Sequence, residues 1–227
     1  MAMAQKARIA SRRRYYTPGD VAAHNSATDC LVSIFHRVFD LTDLIRDNQG
    51  PLAQPLVEVA GQDISHWFTN NPVQCKTYID PDRGMTLPYT PHGRFIDVPP
   101  SEPTASWSTS FGIPWWQNED IIVGRLSEKT RKIMIVNVLT QQKDVLEVCS
   151  EETMLEIRDR YMEYNKHAES YTWKKLHEGK FVVMNMQKTL DENGVIDESD
   201  DFEELEIDED FYYPIIHVYF EDNLTIA

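Results

Sequence analysis

Short apolar runs separated by turn residues set the rhythm of the first hundred residues. Leu31-Val32-Ser33-Ile34 and Val38-Phe39-Asp40-Leu41 read as strands, with Phe35-His36-Arg37 as their tight connection. Ahead of them, Thr17 can cap a short helix that begins at Pro18, a favoured first helical position. Thr42-Asp43-Leu44-Ile45 starts another helical turn, and Leu52 to Val59 allows one more before Gly61. Phe68 to Pro91 is rich in Asn, Pro, Asp and Gly and is expected to be loop and turns.

The second half has a different order. Lys132 to Leu139, then Thr140 to Asp144, then Val145 to Cys149 reads as a β-hairpin. Ser150 or Thr153 can cap the helix that follows, which carries Met154, Ile157, Tyr161 and Tyr164 on one stripe. Tyr171-Thr172-Trp173, Phe181-Val182-Val183 and Ile215 to Phe220 are further strands. Two strands, a helix and more strands predict an α+β unit in which one helix covers one face of a mixed sheet. Between the halves, Pro99 to Trp116 has linker-like Pro and Ser. It also holds Trp107, Phe111, Trp115 and Trp116, so it is expected to be a strap packed across one or both units. The predicted divisions are an N-terminal arm (1–14), a first domain (15–98), a strap (99–118) and a second domain (119–227).

Charge adds a polarity to this picture. The net charge is −15, yet Met1 to Gly19 carries five basic residues and no acid, while Asp191 to Ala227 carries fourteen acids and no Lys or Arg. Opposed ends suit docking between neighbours in an assembly, and solvated tails are the plainer alternative. An acidic body with one short basic arm speaks against nucleic acid as a partner. Cys30, Cys75 and Cys149 are odd in number and lack C-x-x-C spacing, which argues against a disulfide framework or a zinc site and fits a reducing compartment. No apolar run approaches the ~18 residues needed to span a bilayer, and no apolar stretch follows the basic residues as in a signal peptide. No membrane association is expected, and a soluble intracellular protein is.

Tyr16-Thr17, Val21, His24-Asn25, Asp29-Cys30, Val32, Ile34 and Val38 to Thr42 together resemble cytochrome b5. Ala60-Gly61-Gln62-Asp63 and Phe68 continue in register after a one-residue insertion. The resemblance implies the b5 fold, in which two imidazoles grip haem iron. Here the first ligand position falls on Asn48, a weak ligand, and the second near Val73, which cannot ligate. His24 is expected to cap or pack, and His36 lies in the strand turn. His66, in Ile64-Ser65-His66-Trp67-Phe68, is the candidate axial haem ligand, with His92 the weaker second candidate. No cofactor is expected, and haem is the one that the resemblance keeps open.

A narrower likeness covers nearly the whole chain after the arm. Gly61 to Phe68, Ile79-Asp80-Pro81, Tyr89 to Phe95, Pro114-Trp115-Trp116, Val123 to Ser127, Ser170 to Lys174 and Tyr219 to Thr225 resemble a family of cytochrome b5-domain proteins of motile cilia and flagella. It implies a cytoskeletal protein of the axoneme, near radial spokes and doublet microtubules, that supports regulation of beating. Tubulin is a candidate partner through Arg12, Arg13 and Arg14. The element order from Lys132 to Asp222 resembles the ubiquitin-like β-grasp fold. The chain ends Leu224-Thr225-Ile226-Ala227 without a diglycine, so a docking domain rather than a conjugated modifier is expected. The acidic run Asp197 to Asp210 lacks the Gly and alternation of a calcium loop and is read as solvated. There is no Gly-rich phosphate loop, G-x-S-x-G or H-E-x-x-H, so no enzyme is expected. The favoured expectation is a structural or adaptor subunit. A haem-binding redox sensor of motility is the alternative, and a ubiquitin-pathway adaptor the third reading.

Overall fold

The computed structural model describes residues 13–102, 104–105, 107–108, 110, 112–208 and 211–220. Residues 1–12 of the basic arm and Phe111 of the strap lie outside the described residues. The chain divides into two units, Met1–Leu126 and Ser127–Ala227.

The first unit opens with β1 (Tyr15–Tyr16) and α1 (Pro18–Ala23). Thr17 caps α1 as the sequence predicts, and the cap is reciprocal: the Asp20 N–H donates to Thr17 Oγ1 at 3.0 Å, and the Thr17 N–H donates to the Asp20 carboxylate at 2.9 Å. After β2 (Asn25–Ser26), the predicted strand pair forms as β3 (Asp29–Ile34) and β4 (Arg37–Asp40). Phe35 and His36 make the turn between them, both at positive φ, as a two-residue hairpin loop matched to strand twist requires. Helices α2 (Thr42–Asp47) and α3 (Gln54–Glu58) follow. Gly61 is held at φ +81° where a Cβ would come within 3.1 Å of the Ala22 carbonyl oxygen and of Asn25, so this approach of the chain to α1 requires glycine.

Phe68 to Pro91 is more ordered than expected. It contains two small antiparallel ladders, β5 (Phe68–Thr69) with β6 (Gln74–Cys75) and β7 (Thr77–Ile79) with β8 (Thr86–Pro88). Each is too short to register as a strand in the sequence, and turn chemistry masks both.

A larger correction concerns the domain boundary. Ile122–Leu126, which falls within the second domain (119–227) expected from the sequence and was not expected to be a strand, forms β9 of the first sheet, whose order is β1-β9-β4-β3-β2. It runs antiparallel to β4 and parallel to β1. The reason is edge satisfaction: β4 carries the buried Val38 and Phe39 and would otherwise present unpaired backbone beside them. Gly124 fits here because a Cβ would stand 2.6 Å from the Tyr16 ring, which passes over it. The strap is likewise part of this unit, since Trp115 and Trp116 pack with Phe39, Trp67, Phe68 and Phe95 in its core. Trp107 is only half-buried.

The second unit follows its predicted order. Strands β10 (Thr130–Asn137) and β11 (Lys143–Cys149) form the hairpin, and α4 (Met154–Tyr161) begins at Thr153 with a capping box to Glu156. Then come β12 (Tyr171–His177), β13 (Lys180–Val183), the short α5 (Ser199–Glu204) and β14 (Ile215–Phe220). The sheet order is β11-β10-β14-β12-β13, with β10 and β14 parallel to each other. Ile133, Ile135, Leu146, Val148, Trp173, Ile216 and Val218 face Met154, Ile157 and Tyr161 of α4 in one core.

Part of the acidic run is not the solvated loop expected. It turns into α5, and Lys129 reaches Asp197 at 3.0 Å and Asp200 at 2.8 Å. Ahead of it, the buried Arg131 holds Asp191 at 2.8 Å and donates to the Val195 carbonyl. Glu209 and Asp210 lie outside the described residues.

Glu152, just ahead of α4, and Arg160, in its last turn, form a buried ion pair, their side chains 2% and 4% exposed. Arg160 Nη2 donates to Glu152 Oε1 at 2.7 Å and Nε donates to Oε2 at 3.2 Å, while the Cys149 N–H donates to Oε2 at 3.0 Å. The fork geometry satisfies both charges at once.

A fragment of residues 13–126 is expected to unfold cooperatively in urea. A fragment of residues 13–98, lacking β9 and the tryptophan pair, is expected to show no cooperative transition. In the second unit, Glu152→Ala leaves the Arg160 charge buried without its carboxylate, and a loss of about 3–5 kcal/mol is expected in the urea unfolding of the full chain.

Candidate functional site

The positions on which the resemblance puts the two b5 imidazoles, Asn48 and the neighbourhood of Val73, carry no histidine. Asn48 caps the C-terminus of α2, exposed, and its amide Nδ2 donates back to the Leu44 carbonyl at 3.0 Å. The bond uses the amide nitrogen, and the remaining amide oxygen is a hard donor, poorly matched to haem iron compared with an imidazole. Val73 is partly buried against the aromatic core, and its carbonyl accepts from Gln117 Nε2 at 2.9 Å.

The candidate ligands lie at the margin of that core. His66 sits in a single 3-10 turn, Ser65–Trp67, and is exposed. The side chains that enter the core from this segment are Trp67 and Phe68, both fully buried. His92 is also exposed, its Nδ1 3.3 Å from Glu58 Oε2. The two imidazoles flank one indole, with ring centroids 6.1 Å (His66) and 5.7 Å (His92) from Trp67. His24 closes α1, its Nδ1 2.8 Å from Asp29, and His36 stays in the strand turn.

Inside, rings meet rings. Trp67 and Phe95 lie 5.1 Å apart, Trp115 and Trp116 5.6 Å apart, and Phe68 is edge-on to Trp115 at 5.9 Å. The Trp115–Trp116 and Phe68–Trp115 pairs are edge-to-face and Trp67–Phe95 is tilted, arrangements that aromatic pairs favour over a face-to-face sandwich. Among the described residues, the buried indole N–H groups of Trp67, Trp115 and Trp116 have no hydrogen-bond acceptor. Three donors without an acceptor could accommodate a polar atom, but they supply no electron pair to iron.

The thiols do not replace the missing imidazoles. Burial, then Asp40 and Asp29, pushes the Cys30 thiol up to about 12. The Cys75 thiol is also raised by burial, against a hydrogen bond to the Tyr89 carbonyl. A protonated thiol is a poor metal ligand. Among the described residues, no group of three or more His, Cys, Asp or Glu side chains is placed to hold a metal ion, and no helix is long and apolar enough to cross a membrane.

Asp97 is a site residue that the sequence reading does not single out. It sits at φ +66°, and its Oδ2 accepts the Trp115 N–H at 2.9 Å, fixing the point where the strap turns into the core. Burial raises its carboxyl above the ordinary value, and the Trp115 bond opposes that rise. The available signal is an Asp ahead of Val98-Pro99-Pro100, since Asp tolerates positive φ better than most side chains.

The cytochrome b5-like haem/steroid binding domain family matches residues 17–99. Cytochrome b5 domain-containing protein 1 of Xenopus laevis is 50% identical over 215 residues, covering 94% of this chain and 97% of that protein. The human protein of that name is 49% identical over the same share of this chain and 92% of its own length. This chain belongs to the cytochrome b5 domain-containing protein 1 family. The domain match ends at residue 99, before Trp115, Trp116 and β9, so in this family member the matched segment is not the whole folding unit.

The residues present do not fit a haem held between two imidazoles. Purified protein titrated with haem is expected to give no bis-imidazole Soret band, and His66→Ala and His92→Ala are expected to leave the visible spectrum as it is in the parent protein.

Proposed function

We propose that this chain is a non-enzymatic structural or adaptor subunit of the ciliary or flagellar axoneme, associated with radial spokes and doublet microtubules. In this reading it is a cytoskeletal protein that supports regulation of beating. The observation that carries the non-redox half is the Asn48 amide, turned to Leu44 beside a core filled by Trp67, Phe95, Trp115 and Trp116. Such a domain keeps the b5 scaffold as a rigid shape and gives up the means to hold iron. The axonemal half rests on the resemblance of Gly61 to Phe68, Pro114 to Trp116 and the other segments named above to proteins of motile cilia and flagella.

The second unit is read as a ubiquitin-like β-grasp domain used for docking. Numbered from one within that unit, its strands run 2-1-5-3-4 with strands 1 and 5 parallel and a helix after strand 2, which supports that reading. A ubiquitin-pathway adaptor would use the same unit. Capture of only axonemal proteins by the full chain would count against that use.

The basic arm is proposed to meet an acidic surface, tubulin being the candidate. Of the three consecutive arginines, Arg13 has its Nη1 2.7 Å from Asp20 and Arg14 has its guanidinium over the Tyr15 ring, so both contribute to the first unit itself. Lys6, Arg8 and Arg12 lie outside the described residues. Deleting residues 1–12 spares Arg13 and Arg14. That deletion is expected to lower binding to isolated axonemes and flatten its dependence on salt, measured by co-sedimentation across an ionic-strength series. Unchanged binding would remove the arm from the proposal.

The alternative, a haem-binding sensor that tunes motility, has one observation in its favour: His66 and His92 stand on either side of Trp67. A Soret band abolished by His66→Ala would promote it over the adaptor reading.

A further inference from the structure

The sheet of the second unit buries one face under α4, and its other face carries an apolar row of unusual continuity. Strand registers define it. Met134 lies opposite Val145 on one side and Ile215 on the other, and Leu176 lies opposite Phe181. Lys175 pairs with Ile216, so Leu176 and Ile215 are the next step of the same ladder. The row therefore crosses the sheet from β11 to β13 as Val145, Met134, Ile215, Leu176 and Phe181. Four of the five are open to solvent: Val145 44%, Ile215 41%, Leu176 56% and Phe181 48% exposed. At about 4.8 Å per strand the row is about 19 Å long. A contiguous apolar surface of that kind is uncommon on a part of a protein that stays in water.

The adjacent row on the same face is marked by charge. It runs Lys143, Val136, His217, Lys174, Val183, each position set by the pairings of β11, β10, β14, β12 and β13. Lys174 lies 4.3 Å over the Tyr219 ring, and Phe181 meets both His217 and Tyr219 edge-on, at 4.9 and 5.7 Å. These contacts hold Lys174 and Phe181 in place on the face. On the other side of the apolar row, Lys132 and Glu147 stand opposite each other and balance in charge. The face thus carries two lysines in excess on one flank, in a chain whose net charge is −15. Lys143 and Lys174 are three strand spacings apart, about 14 Å.

We propose that this face is a docking surface for an apolar segment of another protein whose acidic residues flank its apolar ones on one side. The apolar side chains would cover Val145, Met134, Ile215, Leu176 and Phe181, and two acids about 14 Å apart would meet Lys143 and Lys174. A second copy of this chain fits poorly, because its matching face offers the two lysines either the same lysines or the Lys132–Glu147 pair, whose charges cancel. A bare polyanion or an anionic membrane would use the lysines and leave the apolar row uncovered. The inference gives a specific surface to the adaptor reading, and its test needs no axoneme, so the two can fail separately.

The test uses the full chain and a panel of labelled peptides of about fifteen residues, in which apolar content and the sign of the flanking charges vary independently. Binding is read by fluorescence anisotropy. The expected result is that peptides both apolar and acidic bind. Lys143→Glu combined with Lys174→Glu should weaken them tenfold or more, and the same variant should gain affinity for the basic-flanked peptides. Phe181→Ser should weaken both sets. Equal binding whatever the sign of the peptide charge would overturn the proposal. So would binding that the charge-reversed variant leaves unchanged, concentration-dependent dimerisation abolished by Phe181→Ser, or equally strong binding to vesicles of anionic lipid.

Discussion

The first unit depends on the insertion of Trp115 and Trp116 into a core that the preceding hundred residues leave open. Phe39 from β4, Trp67 and Phe68 from the turn after α3, and Phe95 from the segment before the strap all converge on these two indoles. Asp97 fixes the backbone of Trp115, and a few residues later β9 takes its place between β1 and β4. Ring packing and strand pairing are thus coupled. Removing the strap together with β9 would expose the apolar side of Phe39 and unpair the edge of β4 in one step.

That coupling also bears on cofactor chemistry. A haem-binding b5 domain must leave a slot for the macrocycle and present an imidazole on each side of it. Here aromatic side chains occupy the interior, and polar groups that would have to turn inward are engaged elsewhere: Asn48 closes α2, and His92 lies beside Glu58. The fold family persists because its apolar positions, such as Cys30, Val32, Ile34, Val38 and Phe39, are fully buried and constrain one another. Asn48, exposed at the end of α2, is under no such packing constraint, so that position can change without disturbing the sheet.

The second unit holds together by a different balance. Its core is ordinary alternation on the inner face of a mixed sheet, closed by α4. Its polar restraints are local and well satisfied: Arg160 with Glu152, Arg131 with Asp191, and Lys129 with Asp197 and Asp200. The last of these draws part of an acidic, otherwise self-repelling segment onto the sheet. The outer face carries an apolar row in which Val145, Ile215, Leu176 and Phe181 are exposed.

The sequence by itself determined the elements whose signals are local. The Thr17 and Thr153 caps, the turn at Phe35-His36, the β10–β11 hairpin and the order of elements in the second unit all follow from spacing of a few residues, and the structure has them. It also made the loss of imidazoles at Asn48 and Val73 legible, because residue identity alone decides whether a side chain can ligate. Only the tertiary structure decided that β9 belongs to the first sheet, that the strap is core, and that Trp67 rather than His66 enters from its turn. Those outcomes depend on contacts between residues tens of positions apart, as in the pairing of Arg37 with Arg125 and of Phe39 with Ile122. No local pattern encodes such contacts, because they form where two surfaces exclude water together.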